Sequence, residues 1–325
     1  MGSPFMARLM RLFAERLGPD DPLGEYLLSW PGDPAPVADG LPLRLAGALH
    51  ALCQRGIALV DVYPPSHASD DILWSAVTDT MAAHSQHIRT WLRSSPQTNE
   101  VRRSAIILPA LAMLREQFDR PVALYELGAS AGLNLRADQF YLKTDAGTLG
   151  PSSSPVLLTP DWQGTVPEGE LPKVVSRQGV DLNPLNPATK NDQDRLLAYL
   201  WADQPDRIDC TKSAIELAAR FPASVDQGDA GAWLAEKLPI SPPKTLRLIF
   251  HTIAWQYFPK STVDLANSAI AKAAEDASSD HPLAHLAMES DGGEGAAVTL
   301  AAWPGGKKQL VARVDFHGRW VNWLV

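Results

Sequence analysis

The chain has 325 residues, of which 45% are hydrophobic and 20% are charged, a globular composition with enough length for one large domain or two. Its 37 Asp and Glu residues outnumber its 29 Lys and Arg residues, and the net charge of -8 comes without a basic stripe, so we expect no nucleic-acid partner. Its apolar runs are too short to span a bilayer and its two cysteines cannot form a disulfide framework, so we expect a cytoplasmic protein without a membrane partner.

The first third of the chain carries its apolar residues at helical spacing. This pattern predicts helices near residues 6–17, 41–55, 69–94 and 99–118, with proline-containing breaks between them. Ser69 is expected to cap the third of these helices, since its hydroxyl can accept an orphan N–H. We therefore predict a helical cap or substrate domain over residues 1–118.

From residue 119 onward, strands and helices alternate, which is typical of a mostly parallel sheet covered on both faces. The last strands have no helix between them and predict an antiparallel hairpin at the sheet edge. Residues 142–178 are rich in Pro, Gly, Ser and Thr and are interpreted as an insertion of loops and short strands. The fold class is thus α/β, with a Rossmann-like domain over 119–325. The predicted strands are Val122–Leu127, Gly179–Leu182, Ala223–Val225, Thr245–Ile253, Leu283–Met288, Ala297–Trp303 and Gln309–Phe316, and the predicted helices lie near 191–203, 208–221, 230–238 and 261–276.

A turn of small residues follows the first predicted strand, within Glu126–Leu135. Gly128 and Gly132 let the backbone turn tightly and let a ligand approach it. A helix is expected to follow, with its N–H groups aimed at that ligand. The dinucleotide fingerprint does not fit, because residue 130 is Ser130 rather than Gly.

The spacing of Glu126, Gly128, Ser130 and Gly132 resembles the first motif of class I methyltransferases, with Ser130 in place of the middle glycine. The resemblance implies S-adenosylmethionine as the cofactor, with Glu126 steadying the loop and the methionine end of the cofactor. Asn134 completes the predicted cofactor-binding set of this turn.

Two further acidic residues follow the next predicted strands in the order that a cofactor site needs. Asp181 could accept the ribose hydroxyls, and Asp229, followed by Ala230, could accept the adenine amine. Either carboxylate could instead only cap the following helix. The separation of Glu126 from Asp181 exceeds the usual spacing of about 20 residues. Either the insertion at 142–178 bulges out, or the role given to Asp181 belongs to another residue.

Polar and aromatic residues end the strand Thr245–Ile253. His251 is a candidate general base, because an imidazole titrates near neutral pH. Trp255 and Tyr257 are candidate substrate contacts. A hydrogen-bonded core histidine and core aromatic residues are the alternatives. We expect no metal site, because His84 and His87 lack an obvious third ligand.

Several motifs resemble the bacterial domain-of-unknown-function family 2332. They are Gln97–Glu100 with Arg103, the turn Glu126–Leu135, Gly179–Pro184, Gly228–Ala230, His251-Thr252 and Glu289. Such families carry Gly-Arg after the Gln-Thr-Asn-Glu motif, whereas this chain has Arg102 in place of the Gly. Asn99, Glu100 and Arg103 are expected at a helix start, where Asn99 and Arg103 would bind substrate and Glu100 would act beside His251 in catalysis, or where all three would only cap the helix.

We therefore expect methyl transfer from S-adenosylmethionine to a small or medium polar substrate. One alternative is a Rossmann-like protein that binds an adenosyl ligand or a partner without turnover. Another is a serine hydrolase, since Gly128–Gly132 also satisfies the nucleophile-elbow pattern, with Ser130 as nucleophile and His317 as base.

Overall fold

The computed structural model describes residues 2–19, 22–35, 38–240 and 242–325, which divide into two compact units. The helices are α1 (Pro4–Arg16), α2 (Pro22–Leu28), α3 (Leu41–Gln54), α4 (Asp70–Ala83), α5 (Ser85–Leu92), α6 (Ile107–Phe118), α7 (Lys190–Ala198), α8 (Pro205–Arg220), α9 (Ala230–Lys237) and α10 (Lys260–Glu275). Four 3-10 helices cover Val101–Ile106, Leu133–Gln139, Leu238–Ile240 and Trp255–Tyr257. No helix of this described part is long and apolar enough to cross a membrane.

The strands are β1 (Val122–Leu127), β2 (Tyr141–Thr144), β3 (Gly147–Leu149), β4 (Leu157–Leu158), β5 (Asp161–Gln163), β6 (Val174–Asp181), β7 (Ser224–Gln227), β8 (Leu246–Thr252), β9 (Leu283–Glu289), β10 (Ala296–Trp303), β11 (Gln309–Val314) and β12 (Trp320–Trp323). Every strand predicted from the sequence is present, within a few residues at the ends. The strand β12 and helix α2 were not predicted.

The first unit is helical and is built from two pieces of chain. It comprises residues up to Thr98 together with Thr189–Asp209. Ser69 caps α4 as predicted, accepting the N–H of Ile72. The predicted helix over 69–94 is two helices, because the backbone of His84 leaves the helical region between α4 and α5.

The two pieces of the first unit are joined by close contacts between α3 and the chain around α7. The Arg55 guanidinium lies 2.8 Å from the Asp194 carboxylate, and His50 bonds the carbonyl of Ala198. A Cβ atom at Gly47 would lie 2.5 Å from the Tyr199 ring. The helical domain over residues 1–118 stays a prediction.

The second unit holds a nine-stranded sheet in the order β5-β12-β11-β10-β9-β8-β1-β6-β7. The strands from β7 to β9 are parallel, as predicted from the alternation of strands and helices. The strands from β9 through β12 pair in antiparallel fashion. The predicted hairpin is therefore present, but β5 from the insertion pairs outside β12 and forms the edge. A small three-stranded sheet, β3-β2-β4, accounts for more of the insertion.

The two central strands β1 and β8 are buried on both faces, and most of their residues are apolar. One face packs against α9 and α10 through a cluster that includes Tyr125, Ile249, Trp233 and Ile270. This packing fixes the carboxyl ends of β1, β6 and β8 at one edge of the sheet, where the candidate site lies.

Candidate functional site

The central strands β1 and β8 lie side by side, and the strands that follow them in sequence lie on opposite sides of this pair. The strand β1 connects to β6 on one side, whereas β8 connects to β9 on the other. Ligands of open parallel sheets bind beyond the carboxyl ends of the strands at such a reversal of strand order. The residues that follow Leu127 and Thr252 therefore define the candidate site.

The turn after β1 has the geometry that its small residues predict. Gly128 and Gly132 both have positive φ, +71° and +64°. A Cβ atom at Gly128 would lie 2.6 Å from the Cβ of Ala254, and one at Gly132 would lie 2.8 Å from the Val225 side chain. Any larger residue would therefore strain the backbone and collide with its neighbours.

Asp181 holds this turn in place. Its Oδ2 accepts the N–H of Ser130 at 2.8 Å, and its Oδ1 accepts the N–H of Asn183 at 2.9 Å. The structure thus brings the turn and the end of β6 together as the sequence predicted. The ribose role of Asp181 stays a prediction, and it would use the second lone pair of each oxygen.

Glu126 is the second-last residue of β1, just before the turn, and is 2% exposed. Its Oε2 is buried without a hydrogen-bond partner in the described part of the chain. Burial raises the pKa of the Glu126 carboxyl well above its usual value, although the Arg136 guanidinium and a hydrogen bond with Asn134 act in the opposite direction. Such a buried acid is costly in the absence of a ligand and is typical of functional sites.

A helix follows the turn as predicted, but it is a 3-10 helix rather than an α-helix. A 3-10 helix spans Leu133–Gln139, with a break at Arg136. The Gly132 carbonyl accepts the N–H of Leu135 and a guanidinium N–H of Arg136, so it is not available to the backbone N–H of an α-helix. The turn is therefore not followed by the α-helix whose dipole was expected to act on a cofactor.

The segment from Asn99 to Ser104 fastens the start of this 3-10 helix. Asn99 Oδ1 accepts the N–H of Leu133 at 2.9 Å, and the Ser104 hydroxyl donates to Asn134 Oδ1 at 2.8 Å. The amide of Asn134 donates in turn to the Glu100 carbonyl. Asn99 and Glu100 are both buried, and Ser104 was missed by the sequence analysis.

Glu100 and Arg103 make contacts that differ from the expected helix start. Residues Val101–Ile106 form a 3-10 helix, and Glu100 caps it by accepting the N–H of Arg102. Arg103 donates to the carbonyls of Thr252 and Phe316 at 3.0 and 2.9 Å. It therefore joins the end of β8 to the β11–β12 turn. Their roles in catalysis and substrate binding stay predictions.

Asp229 caps α9, the capping alternative that the sequence analysis left open. Its Oδ1 accepts the N–H of Ala232, and its Oδ2 accepts the hydroxyl of Thr262. Ala230 is the first residue of the helix and is buried. A role for Asp229 with adenine stays a prediction.

His251 lies in the middle of a hydrogen-bonded series of three side chains, between Glu289 and His285. Its Nδ1 lies 2.7 Å from Glu289 Oε1, and its Nε2 lies 3.0 Å from His285 Nε2. The ring is 2% exposed and stacks on Trp255, with centroids 4.5 Å apart. His285 was missed, because nothing in the sequence marks a histidine two positions into a strand as a partner of His251. Glu289 was noted only through the family resemblance.

The turn after β8 is strained. Ile253 has φ of +52°, which is rare for a β-branched residue. Its N–H donates to the Met288 carbonyl, and the next two N–H groups donate to Glu289 Oε1. Tyr257 in this turn is 71% exposed, so it is open to a ligand. Strained residues that are held by surrounding contacts concentrate at functional sites.

A cleft of about 510 Å³ opens beside the glycine turn. Its lining includes Ala131 from the turn and Pro184–Ala188 from the loop after β6. This volume lies within the range of about 300–1,000 Å³ that small-molecule sites occupy. The sequence analysis did not identify the Pro184–Ala188 loop as part of the site.

The serine hydrolase alternative requires a base that contacts the Ser130 hydroxyl, and no described residue makes that contact. Ser130 has φ of +54°, as a strained nucleophile turn would require, but its buried hydroxyl has no hydrogen-bond partner among the described residues. A serine nucleophile needs a base within hydrogen-bond reach. Neither His317 nor another described imidazole makes that contact. In the same part of the chain, no group of three or more His, Cys, Asp or Glu residues is arranged to hold a metal ion.

The family model of an uncharacterised protein conserved in bacteria, domain-of-unknown-function family 2332, matches residues 1–323. The chain belongs to this family. No curated protein and no solved structure matches it. The match spans the segments Glu126–Leu135 and Gly179–Pro184, and membership of an uncharacterised family assigns them no activity.

Proposed function

We propose that the protein binds S-adenosylmethionine at the carboxyl edge of β1, β6 and β8 and transfers its methyl group to a small or medium polar substrate. The main support is the glycine turn of Gly128–Gly132 at the reversal of strand order, directly above the buried, unpaired Oε2 of Glu126. S-adenosylmethionine supplies an electrophilic methyl group on a sulfonium, so the protein has mainly to position the two partners.

The residues of this edge fit a cationic, adenosyl-type ligand. A positive group near the turn would stabilise the ionised form of Glu126, which burial otherwise disfavours. The absence of side chains at Gly128 and Gly132 allows a ligand to approach the main chain. The adjacent cleft has room for a small molecule.

The residues after β8 would face the substrate. Tyr257 is exposed, and Trp255 is half-buried above His251. The amphipathic rings of Trp and Tyr can hold a polar substrate while excluding water from the methyl group. Arg103 would keep the end of β8 in place through the Thr252 carbonyl.

Isothermal titration with S-adenosylmethionine and with S-adenosylhomocysteine tests the proposal. We expect saturable binding at one site by the wild-type protein. Asp181→Asn should weaken it at least about tenfold, because the carboxylate that holds the turn loses its charge. Asp280→Asn is the matched control, since that exposed carboxylate pairs with Arg120 at the opposite edge of the sheet.

Gly128→Ala provides a second test in case Asp181→Asn unfolds the protein. Its Cβ would stand in the positive-φ turn 2.6 Å from the Cβ of Ala254 and would block the approach to the main chain, so binding should fall, and thermal unfolding checks that the variant is folded. Failure of the wild-type protein to bind either ligand at millimolar concentration would overturn the proposal. Binding without transfer of a labelled methyl group to any polar acceptor would favour the non-catalytic alternative.

A further inference from the structure

The hydrogen bonds that join Glu289, His251 and His285 can be assigned a donor and an acceptor at each step. Glu289 Oε1 accepts the N–H groups of Ala254 and Trp255 and lies 2.7 Å from His251 Nδ1. An oxygen whose lone pairs already receive two backbone donors has no hydrogen to give to the ring, so the ring is the donor. His251 must therefore carry its proton on Nδ1 when it is neutral, which leaves its Nε2 as an acceptor.

His285 must then be the donor in the contact between the two rings. The two Nε2 atoms are 3.0 Å apart, so one of them carries the hydrogen. When both rings are neutral, His285 donates from Nε2 and its Nδ1 has a free lone pair. His285 is half-buried, and Nδ1 bonds to no described residue. Nδ1 is thus the nitrogen of the two rings that has no partner among the described residues, and it is not one of the fully buried polar atoms.

His285 would be a poor base by itself. Burial, the neighbouring His251 and the ammonium of Lys308 lower the pKa of His285 well below its usual value. A positive charge is therefore disfavoured on this ring. The same charge placed on His251 would lie against the Glu289 carboxylate, where it would be stabilised.

We propose that Glu289, His251 and His285 form a proton relay in which His285 Nδ1 takes a proton from a bound hydroxyl or ammonium group and His251 stores the charge. The ligand's X–H bond breaks as an N–H bond forms at His285 Nδ1. The Nε2–H bond of His285 breaks as an Nε2–H bond forms on His251. His285 ends neutral as the opposite tautomer, and His251 ends as an imidazolium paired with Glu289.

The relay extends the proposed function to the class of methyl acceptor. A hydroxyl or amine that accepts a methyl group must lose one proton, and the relay would receive it. That use depends on the methyl-transfer proposal, whereas the relay itself does not. Besides Glu289, the charged groups near the two rings are Lys308 and Arg103, whose guanidinium bonds the carbonyl next to His251.

The test is long-range ¹H–¹⁵N spectroscopy of the protein labelled with ¹⁵N-histidine, which identifies the protonated nitrogens of each ring. Neutral protein should show His251 protonated at Nδ1 and His285 protonated at Nε2. When the pair of rings holds one added proton, both nitrogens of His251 should carry hydrogen and His285 should carry it at Nδ1 only. A doubly protonated His285 beside a neutral His251 would overturn the relay.

Glu289→Gln keeps an oxygen acceptor but removes the charge that faces His251. We expect proton exchange at the ring nitrogens of His251 to slow about tenfold or more, because the relay loses the carboxylate opposite its stored charge. Glu294→Gln, which changes an exposed carboxylate, should leave that rate unchanged. An unchanged rate in Glu289→Gln would contradict the proposal.

If Glu289→Gln fails to fold, His285→Gln replaces it, because His285 is half-buried and its loss is more easily tolerated. Gln cannot pass on a proton, so proton exchange at His251 should slow about tenfold or more. Equal exchange rates with and without His285 would contradict the relay. These spectra need no cofactor, so the relay and methyl transfer can fail separately.

Discussion

At the scale of single residues, Glu126 links the stability of the protein to its candidate site. Burial raises the pKa of this carboxyl, and one of its oxygens has no partner among the described residues. A carboxyl with a raised pKa in the folded state costs stability as the pH rises from its unfolded value, about 4.3, through its folded value. The acid is therefore tolerated at the expense of stability, as functional residues often are.

Glu126→Gln should remove this pH-dependent cost. The free energy of unfolding of the variant, relative to that of wild type, is expected to increase as the pH rises from 4 to 8, and urea unfolding at several pH values measures it. The affinity for S-adenosylmethionine should fall, because the cation loses its carboxylate. Asp280→Asn is the control, and a difference from wild type that does not vary with pH would contradict the role given to burial.

Ser130→Gly should stabilise the protein by about 1 kcal/mol. Glycine adopts positive φ without strain, and the change removes a buried hydroxyl that has no described partner. Because the resembling methyltransferase motif has glycine here, cofactor affinity should be unchanged. Thermal unfolding and titration measure the two effects. A loss of activity with labelling of Ser130 by a fluorophosphonate in the wild type would instead support the hydrolase.

At the scale of elements, the glycine turn is held from outside by Asn99. The N–H of Leu133 that it accepts is buried, so Asn99→Ala should leave that donor unpaired and cost about 1–3 kcal/mol. Asn99→Asp keeps an oxygen at this position and should cost less. Urea unfolding compares the two, with the exposed Asn191→Ala as control. Equal losses in both variants would show that the hydrogen bond has no special importance.

Most elements could be predicted because their patterns are local. Apolar runs such as Val122–Leu127 and amphipathic stretches such as α10 carry their period in a few successive residues. The 3-10 helix after the turn could not be predicted, because the Arg136 side chain competes for a backbone carbonyl. The strand β12 was missed, and its place in the sheet depends on pairing with β11 and with β5, which no local pattern records.

The candidate site was predictable to the extent that it follows single strands. The turn at Gly128 and the carboxylate of Asp181 end neighbouring strands, and their approach follows from the alternating pattern. The relay was not predictable, because His251 and Glu289 are 38 residues apart and meet only through the pairing of β8 with β9. Pairings of this kind depend on register, which no local pattern records.

At the scale of the whole molecule, α7 belongs with α3 rather than with the strand that precedes it in sequence. Gly47→Ala would place a Cβ atom 2.5 Å from the Tyr199 ring and should cost about 1–3 kcal/mol through overpacking. Amide hydrogen exchange should then quicken in α7 while β6 stays unchanged. Gly228→Ala, whose Cβ meets only an ordinary contact, is the control. Faster exchange in β6 as well would contradict the division into units.

The first unit is built from two segments that are far apart in sequence, and this affects the order in which the protein can fold during translation. Its helices up to Thr98 emerge from the ribosome well before the segment Thr189–Asp209 that completes them. At about 5–20 residues per second, their apolar surfaces wait roughly 5–20 s for that segment. During this interval β1 and β6 have already been synthesised. The apolar surface of these helices is therefore most exposed to aggregation between these two points, and slower synthesis would lengthen that exposure.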